Sequence, residues 1–334
     1  MPPLSRSCWQ NRFLDPGKGS REFHEVINRK LLAGATESPD VEVVAVGSRD
    51  RAKAEAYAAK NGISRAYGSY EELLADPEVE AVYIATPNSL HHPNTMQALR
   101  AGKHVLAEKP YTRHPEEVTE AFDLADAAGL VLSEGFMWRR HPQVEILRSL
   151  LPELGTIHTI RSSFSWAMDE PYRRPLDVRL VPELDGSSLL DVGTYCVSGS
   201  RFVAGEEPDR VFGFSEIGPT GVDIRFTGLM HFPSGTLAEF SCGFRSDHRG
   251  LEPIGTKGSI LLTDPWQSSP ATMIRDGVET ALPVADPYQL ELEDVSRAIR
   301  TGEPPIIGRA DAIGQARALD ALLRSSETGL PVDL

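Results

Sequence analysis

Between residues 41 and about 135 the chain alternates short, almost wholly apolar runs with longer stretches of helix-forming composition, and few architectures accept that rhythm. The apolar runs fall at 41–47, 81–86, 104–108 and 130–133. They are continuous rather than alternating, which predicts strands buried on both faces, as in a parallel sheet covered by helices. Helices are expected at 50–60, 69–75, 93–101 and 115–128, with Gly62, Gly102 and Gly129 placed where helices end. The fold class that follows is α/β, with residues 1–135 as a parallel sheet wrapped by helices.

After residue 135 the rhythm changes to longer alternating runs at 156–166, 222–232, 236–245 and 259–264, the mark of an antiparallel sheet. Helical stretches interrupt or close it at 189–203, 287–300 and 310–326. Residues 136–334 are therefore expected to form a C-terminal α+β domain with an open, mainly antiparallel sheet, its final helix 310–326 packing back on the first domain. A length of 334 residues suits two domains. Residues 1–25 fit the scheme poorly. They contain no run that looks like a central strand, and Gly17 and Gly19 make only a G-x-G with Pro16 in front of it. The first strand and its glycine loop are expected to be atypical or missing, which would leave sheet edges open and weaken pyrophosphate contacts.

The balance of 48 acidic against 34 basic side chains, a formal net charge of -14, opposes nucleic acid and anionic membrane as partners. A small-molecule partner is expected. No apolar run approaches the ~20 residues of a membrane span, and no secretory signal core is present, so a cytoplasmic location is expected. Cys8, Cys196 and Cys242 are odd in number and widely spaced, which suggests neither a disulfide framework nor a zinc site. No metal is expected, since His91 and His92 have no acidic or thiol company.

Ligands of a doubly wound sheet bind beyond the carboxyl ends of its strands. Three ends carry polar residues. At the first, Ser48 and Arg49 offer a hydroxyl and a guanidinium suited to a 2′-phosphate, which favours NADP(H) with NAD(H) as the alternative; Arg49 as a solvated helix-start residue and Asp50 as a plain N-cap is the other reading. The second is the turn Thr86-Pro87-Asn88-Ser89-Leu90-His91-His92, whose Asn88 and backbone could line a cofactor. At the third, Pro110 stops the strand and leaves Lys109 at its carboxyl edge. There a lysine amine could take a proton as hydride leaves the neighbouring carbon, or it could be an ordinary surface lysine.

The stretch from Tyr83-Ile84-Ala85-Thr86-Pro87-Asn88 to Ala101-Gly102-Lys103-His104-Val105-Leu106-Ala107-Glu108-Lys109-Pro110 resembles the signature of the Gfo/Idh/MocA oxidoreductases. The likeness continues through Glu134-Gly135-Phe136-Met137-Trp138-Arg139-Arg140-His141-Pro142, Asp185-Gly186-Ser187-Ser188-Leu189-Leu190-Asp191-Val192-Gly193-Thr194-Tyr195 and Gly255-Thr256-Lys257-Gly258-Ser259-Ile260, over roughly residues 26–328. It implies a Rossmann-type domain followed by an open-sheet domain whose exposed face often builds a homodimer or homotetramer. By resemblance Lys109, Asp191 and Tyr195 are the catalytic residues. Ser48, Arg49, Thr86, Pro87, Asn88, His91, Glu108, Lys109, Trp138 and Arg139 are expected at the cofactor, and Arg179, Asp191 and Tyr195 at the substrate, with Trp138 a contributor there. Asp191 and Tyr195, at i and i+4, share one helical face and can point into the same cleft. Tyrosine at 195 is similar to the branch of dihydrodiol dehydrogenases, sugar 1-dehydrogenases and glucose-fructose oxidoreductase. An NADP(H)-dependent oxidoreductase acting on a sugar, polyol or dihydrodiol is implied. A non-catalytic nucleotide- or sugar-sensing protein of the same fold is the alternative.

Overall fold

The computed structural model describes residues 7–12, 21–168, 177–267 and 271–334, with side chains described from residue 29 onward. Its first half runs β1 (Ser7–Arg12), α1 (Arg21–Glu37), β2 (Val41–Gly47), α2 (Arg51–Asn61), β3 (Arg65–Tyr67), α3 (Tyr70–Leu74), β4 (Ala81–Ile84), α4 (His91–Arg100), β5 (His104–Glu108), α5 (Pro115–Ala128) and β6 (Leu132–Gly135). The strands form one parallel sheet in the order β3-β2-β1-β4-β5-β6. Connections that wind outward from β1 to either side leave the reversal of strand order between β1 and β4, the place where this topology binds ligands.

Of the two expected outcomes, a missing or an atypical first strand, the second holds: the strand is present with a polar composition. Ser7–Arg12 pairs in parallel with both β2 and β4, with a register shift between Trp9 and Gln10. Backbone groups of the two flanking strands need partners whatever side chains lie between them, and that tertiary demand overrides a polar composition. No sheet edge is left open at the centre. Gly17 and Gly19 lie outside the described residues.

Local signals explain the helix ends. Asp50 caps α2 by accepting from the Lys53 amide at 3.3 Å, and Gly62 closes it at φ 69°. Pro115 opens α5 and Gly129 ends it at φ 66°, a left-handed conformation that favours glycine.

The second half adds α6 (Pro142–Leu150), β7 (Ile157–Ser165), α7 (Thr194–Ala204), β8 (Arg210–Ile217), β9 (Asp223–His231), β10 (Leu237–Gly243), β11 (His248–Gly255), β12 (Gly258–Leu262), β13 (Thr272–Arg275), β14 (Val278–Ala281), α8 (Pro287–Thr301), α9 (Arg309–Thr328) and β15 (Val332–Asp333). Nine strands form a sheet in the order β14-β13-β12-β11-β7-β10-β9-β8-β15, antiparallel except where β10 runs parallel to β7. One face carries α7 against β7 and β10, and the other is open. Along β9 the inner Phe226 and Met230 are buried, while the outer Arg225, Thr227, Leu229 and His231 are exposed. The register aligns Phe212, Leu229, Glu239, Arg161 and Glu252 in one row across the open face, where Arg161 pairs with Glu239 at 2.7 Å.

Helix α9 contacts α5 and β6 of the parallel sheet and also α7 and β8, and Arg309 at its start pairs with Asp123 and Asp126 of α5. Helices α1 and α8 touch at Gly34, where an added Cβ would lie 2.6 Å from the Gln289 nitrogen. Among the described residues no helix is long and apolar enough to cross a membrane.

Candidate active site

Lys109 follows β5 directly and is joined to Pro110 by a cis peptide bond. The strand end aims its side chain at the helical stretch opening α7. That stretch begins as a π-helical turn, Leu189–Gly193, wider than the α-helix expected throughout 189–203. Asp223 on β9 anchors the turn by accepting from the Ser188 hydroxyl at 2.5 Å and the Leu189 amide at 2.9 Å. Gly193 lets it lie on β10, since a Cβ there would meet the Cys242 sulfur at 2.7 Å.

The turn presents Asp191 to Lys109 twice. Lys109 Nζ donates to the Asp191 main-chain oxygen at 2.6 Å and to Oδ1 at 3.2 Å. The other carboxylate oxygen, Oδ2, accepts from Arg179 Nε at 2.7 Å, and Arg179 reaches Asp177 through Nη1 at 3.3 Å. The Arg179 guanidinium lies 5.1 Å from the Trp166 ring. One buried carboxylate therefore carries two cations. Burial pushes the Asp191 carboxyl up, but Arg179 and Lys109 outweigh it and hold the group below its usual range.

Tyr195 supplies the wall beside Lys109. Nζ sits 4.9 Å from the centre of its ring, a cation–π approach, while the Tyr195 hydroxyl points to Met137 Sδ at 3.6 Å. Phe136 and Phe164 pack edge-on against the same ring. Burial pushes the phenol well above its ordinary range, so the hydroxyl is a donor at any working pH.

Behind Lys109, Glu108 is buried and accepts from the Tyr83 hydroxyl and from the Lys109 amide at 3.2 Å. Burial raises its pKa against the pull of the neighbouring Lys109 cation. Deeper still, Arg140 donates to Glu291 at 2.8 Å, to Asp294 at 3.2 Å and to the Ser133 hydroxyl at 2.8 Å, tying the segment after β6 to α8. Sequence reasoning missed Tyr83, Arg140, Glu291 and Trp166. For Tyr83 the signal existed, because it aligns with Leu106 on β5 and Glu108 lies two residues on, on the same face.

The remaining expected cofactor residues divide. Arg49 is exposed at the carboxyl end of β2, while Ser48 is buried and accepts from the Asp50 amide at 3.1 Å. Thr86 and Pro87 lie at the end of β4; the Asn88 amide donates to the Asp185 oxygen at 2.9 Å, so a strap from the second half lies over this turn. His91 is buried with its ring nitrogens 2.8 Å from the Pro110 oxygen and 2.6 Å from the Thr86 oxygen. It braces the β4 and β5 ends rather than facing a ligand. Trp138 is fully enclosed between Trp266 and Phe202, with no surface to offer a cofactor or substrate. Arg139 packs on Phe202 and pairs with Asp311 at 3.1 Å on α9, apart from the lysine cluster. The motif around 138–139 marks a real segment, but Trp138 fills the core and Arg139 joins it to α9.

A doubly wound parallel sheet followed by an open sheet domain, with a lysine, an acid and a tyrosine brought together at the strand edge, is an arrangement found in nicotinamide-dependent oxidoreductases, and comparison with known proteins places the chain in that class. More narrowly, the chain belongs to the Gfo/Idh/MocA oxidoreductases: residues 22–136 match the model for the oxidoreductase family with an NAD-binding Rossmann fold, and residues 151–261 match the GFO/IDH/MocA C-terminal domain. It is 36% identical over 318 residues, 92% of this chain and 97% of the relative, to D-xylose 1-dehydrogenase (NADP(+)) 2 of Haloferax volcanii. It is 32% identical over 309 residues, 87% of this chain and 91% of the relative, to trans-1,2-dihydrobenzene-1,2-diol dehydrogenase of Sus scrofa. Among solved structures it is similar to KijD10, a 3-ketoreductase from Actinomadura kijaniata in complex with NADP and TDP-benzene, with a TM-score of 0.86 at 25% identity, covering 96% of this chain and 98% of the other.

Proposed function

We propose that this oxidoreductase moves a hydride between NADP(H), in preference to NAD(H), and a secondary alcohol or its carbonyl on a sugar, polyol or dihydrodiol. The observation that carries the proposal is the Lys109 ammonium held at 2.6 Å and 3.2 Å by Asp191, at the strand edge where this topology binds ligands. The donor set fits a dinucleotide. Exposed Arg49 suits a 2′-phosphate, and Glu108, Lys109 and the Thr86-Pro87-Asn88 turn would hold the nicotinamide end. The chemistry that the cofactor supplies when bound is hydride transfer. The relatives named for NADP(+), xylose and a dihydrodiol support the same choice.

The chain's own task is the proton. In oxidation, Lys109 as the free amine takes the proton from the substrate hydroxyl at Nζ; in reduction, the ammonium returns one to the forming alkoxide. Oxidation therefore begins with loss of the ammonium's proton. Tyr195, protonated throughout, acts as a hydrogen-bond donor to the same oxygen once its hydroxyl turns from Met137. The substrate is a small molecule, with neither nucleic acid nor membrane as partner, and the work is cytoplasmic. The open face of the nine-stranded sheet, with Leu229 and Leu237 exposed, serves self-association.

The test is absorbance at the nicotinamide band across a panel of sugars, polyols and dihydrodiols with each cofactor. Turnover with NADP(+) on one panel member is expected, together with a loss of about 10²-fold or more in kcat for Lys109→Met that far exceeds any loss of cofactor affinity. No turnover on any member would overturn the proposal.

A further inference from the structure

Arg179 was expected at the substrate, yet its geometry gives it a different partner. Its Nε holds Asp191 Oδ2 at 2.7 Å, shorter than the 3.2 Å between Lys109 Nζ and Oδ1. Its side chain is only 11% exposed and is backed by Trp166 at 5.1 Å and by Asp177 at 3.3 Å. A guanidinium so confined, held by Asp177 through Nη1 while Nε reaches Asp191, has little freedom to swing onto a ligand.

We propose that Arg179 is a positioning residue: it fixes Asp191 by one oxygen so that the other oxygen and the main-chain carbonyl place Lys109, and its guanidinium shares the Asp191 charge with the lysine. This rests on the reading of Lys109 as the proton-transfer group.

The charged surroundings of Lys109 decide the sign. Glu108 adjoins it on β5, Asp191 faces it from the π turn, Tyr195 from α7, and Arg179 with Asp177 from the short helical turn Val178–Leu180. From α8, Tyr288 and Glu291 act on Glu108 and Tyr195, with Glu291 itself paired to Arg140. Removing the Arg179 charge leaves Asp191 answering to Lys109 alone and deletes a repulsion between two cations. Both changes stabilise the ammonium.

In the holoenzyme, Arg179→Met and Arg179→Gln are expected to move the acid limb of kcat/KM for alcohol oxidation to higher pH, with kcat falling and KM nearly unchanged. Arg179→Lys, which keeps the charge and loses the fork, is expected to hold the limb near its original pH at a reduced rate. A second readout needs no turnover: the pH dependence of Lys109 labelling by an amine-reactive reagent, followed by peptide mass, should shift upward in the Met and Gln variants. A raised KM with an unmoved limb would make Arg179 a substrate contact, and an unmoved labelling midpoint would likewise overturn the proposal. If the labelling midpoint shifts although no panel member turns over, Arg179 acts as inferred and the assigned reaction is what fails.

Discussion

Asp191 meets Lys109 through two unlike groups, and substitution separates them. Asp191→Asn removes the charge but keeps the main-chain oxygen that sits 2.6 Å from Nζ, so the lysine stays placed while its ammonium loses support. The acid limb of the oxidation profile is therefore expected to move to lower pH, opposite in direction to the Arg179 variants. Steady-state rates measured from about pH 6 to 10 in a mixed buffer of constant ionic strength would show the displacement, and an upward one would contradict the charge assignment. For Tyr195 the ring and the hydroxyl are separable in the same way. Tyr195→Phe keeps the ring 4.9 Å from Nζ and removes the donor, so a drop of about tenfold or more in kcat with unchanged thermal stability is expected. Equal kcat in the two proteins would leave Tyr195 as packing only.

Among the elements, the segment after β6 and helix α8 are joined by an ion cluster of almost no exposure, Arg140 with Glu291 and Asp294. Arg140→Met strands the buried Glu291, while Asp294 keeps Arg297 at 2.8 Å, and is expected to lower unfolding free energy by about 3 kcal/mol in urea titration. Nearby, burial pushes the Glu134 carboxyl up to about 8 while it accepts from the Tyr111 amide at 2.8 Å. Because the folded group holds its proton above the unfolded pKa, its contribution falls as pH rises from about 4.5 to about 8, by roughly 1.4 kcal/mol per pH unit at most. Glu134→Gln keeps the acceptor without the titration, so its Tm should gain on the parent protein as pH rises through that window. The elements that the sequence announced were those whose local chemistry and tertiary setting agree. Strand β5 and helix α5 fall where their apolar run, Pro115 and Gly129 place them. Strand β11 was hidden because Gly250, Pro253 and Gly255 break its pattern, and β1 because its pairing comes from its neighbours. At the site, the motifs identified which segments converge, while side-chain direction depended on packing: Trp138 turned inward and Arg179 turned to Asp191.

At the scale of the whole molecule, the outer row of the nine-stranded sheet joins apolar Phe212 and Leu229 to the charged series Glu239, Arg161 and Glu252. Such a face can bury its apolar half against a second copy while its charges fix the register. Leu229→Glu is expected to shift sedimentation toward the monomer at micromolar concentration with the fold retained by circular dichroism; an unchanged oligomer would place the interface elsewhere. Helix α9 spans both sheets and is fixed to α5 by Arg309, so it is one of the elements that couple the open sheet to the parallel one. At the other end of the chain, β1 fills the middle of a ladder that its two neighbours define. A slot whose hydrogen bonds are set by its borders tolerates changes of side chain in its occupant, so substitutions along β1 are expected to alter the wall beside the nucleotide crevice while leaving the ladder in place.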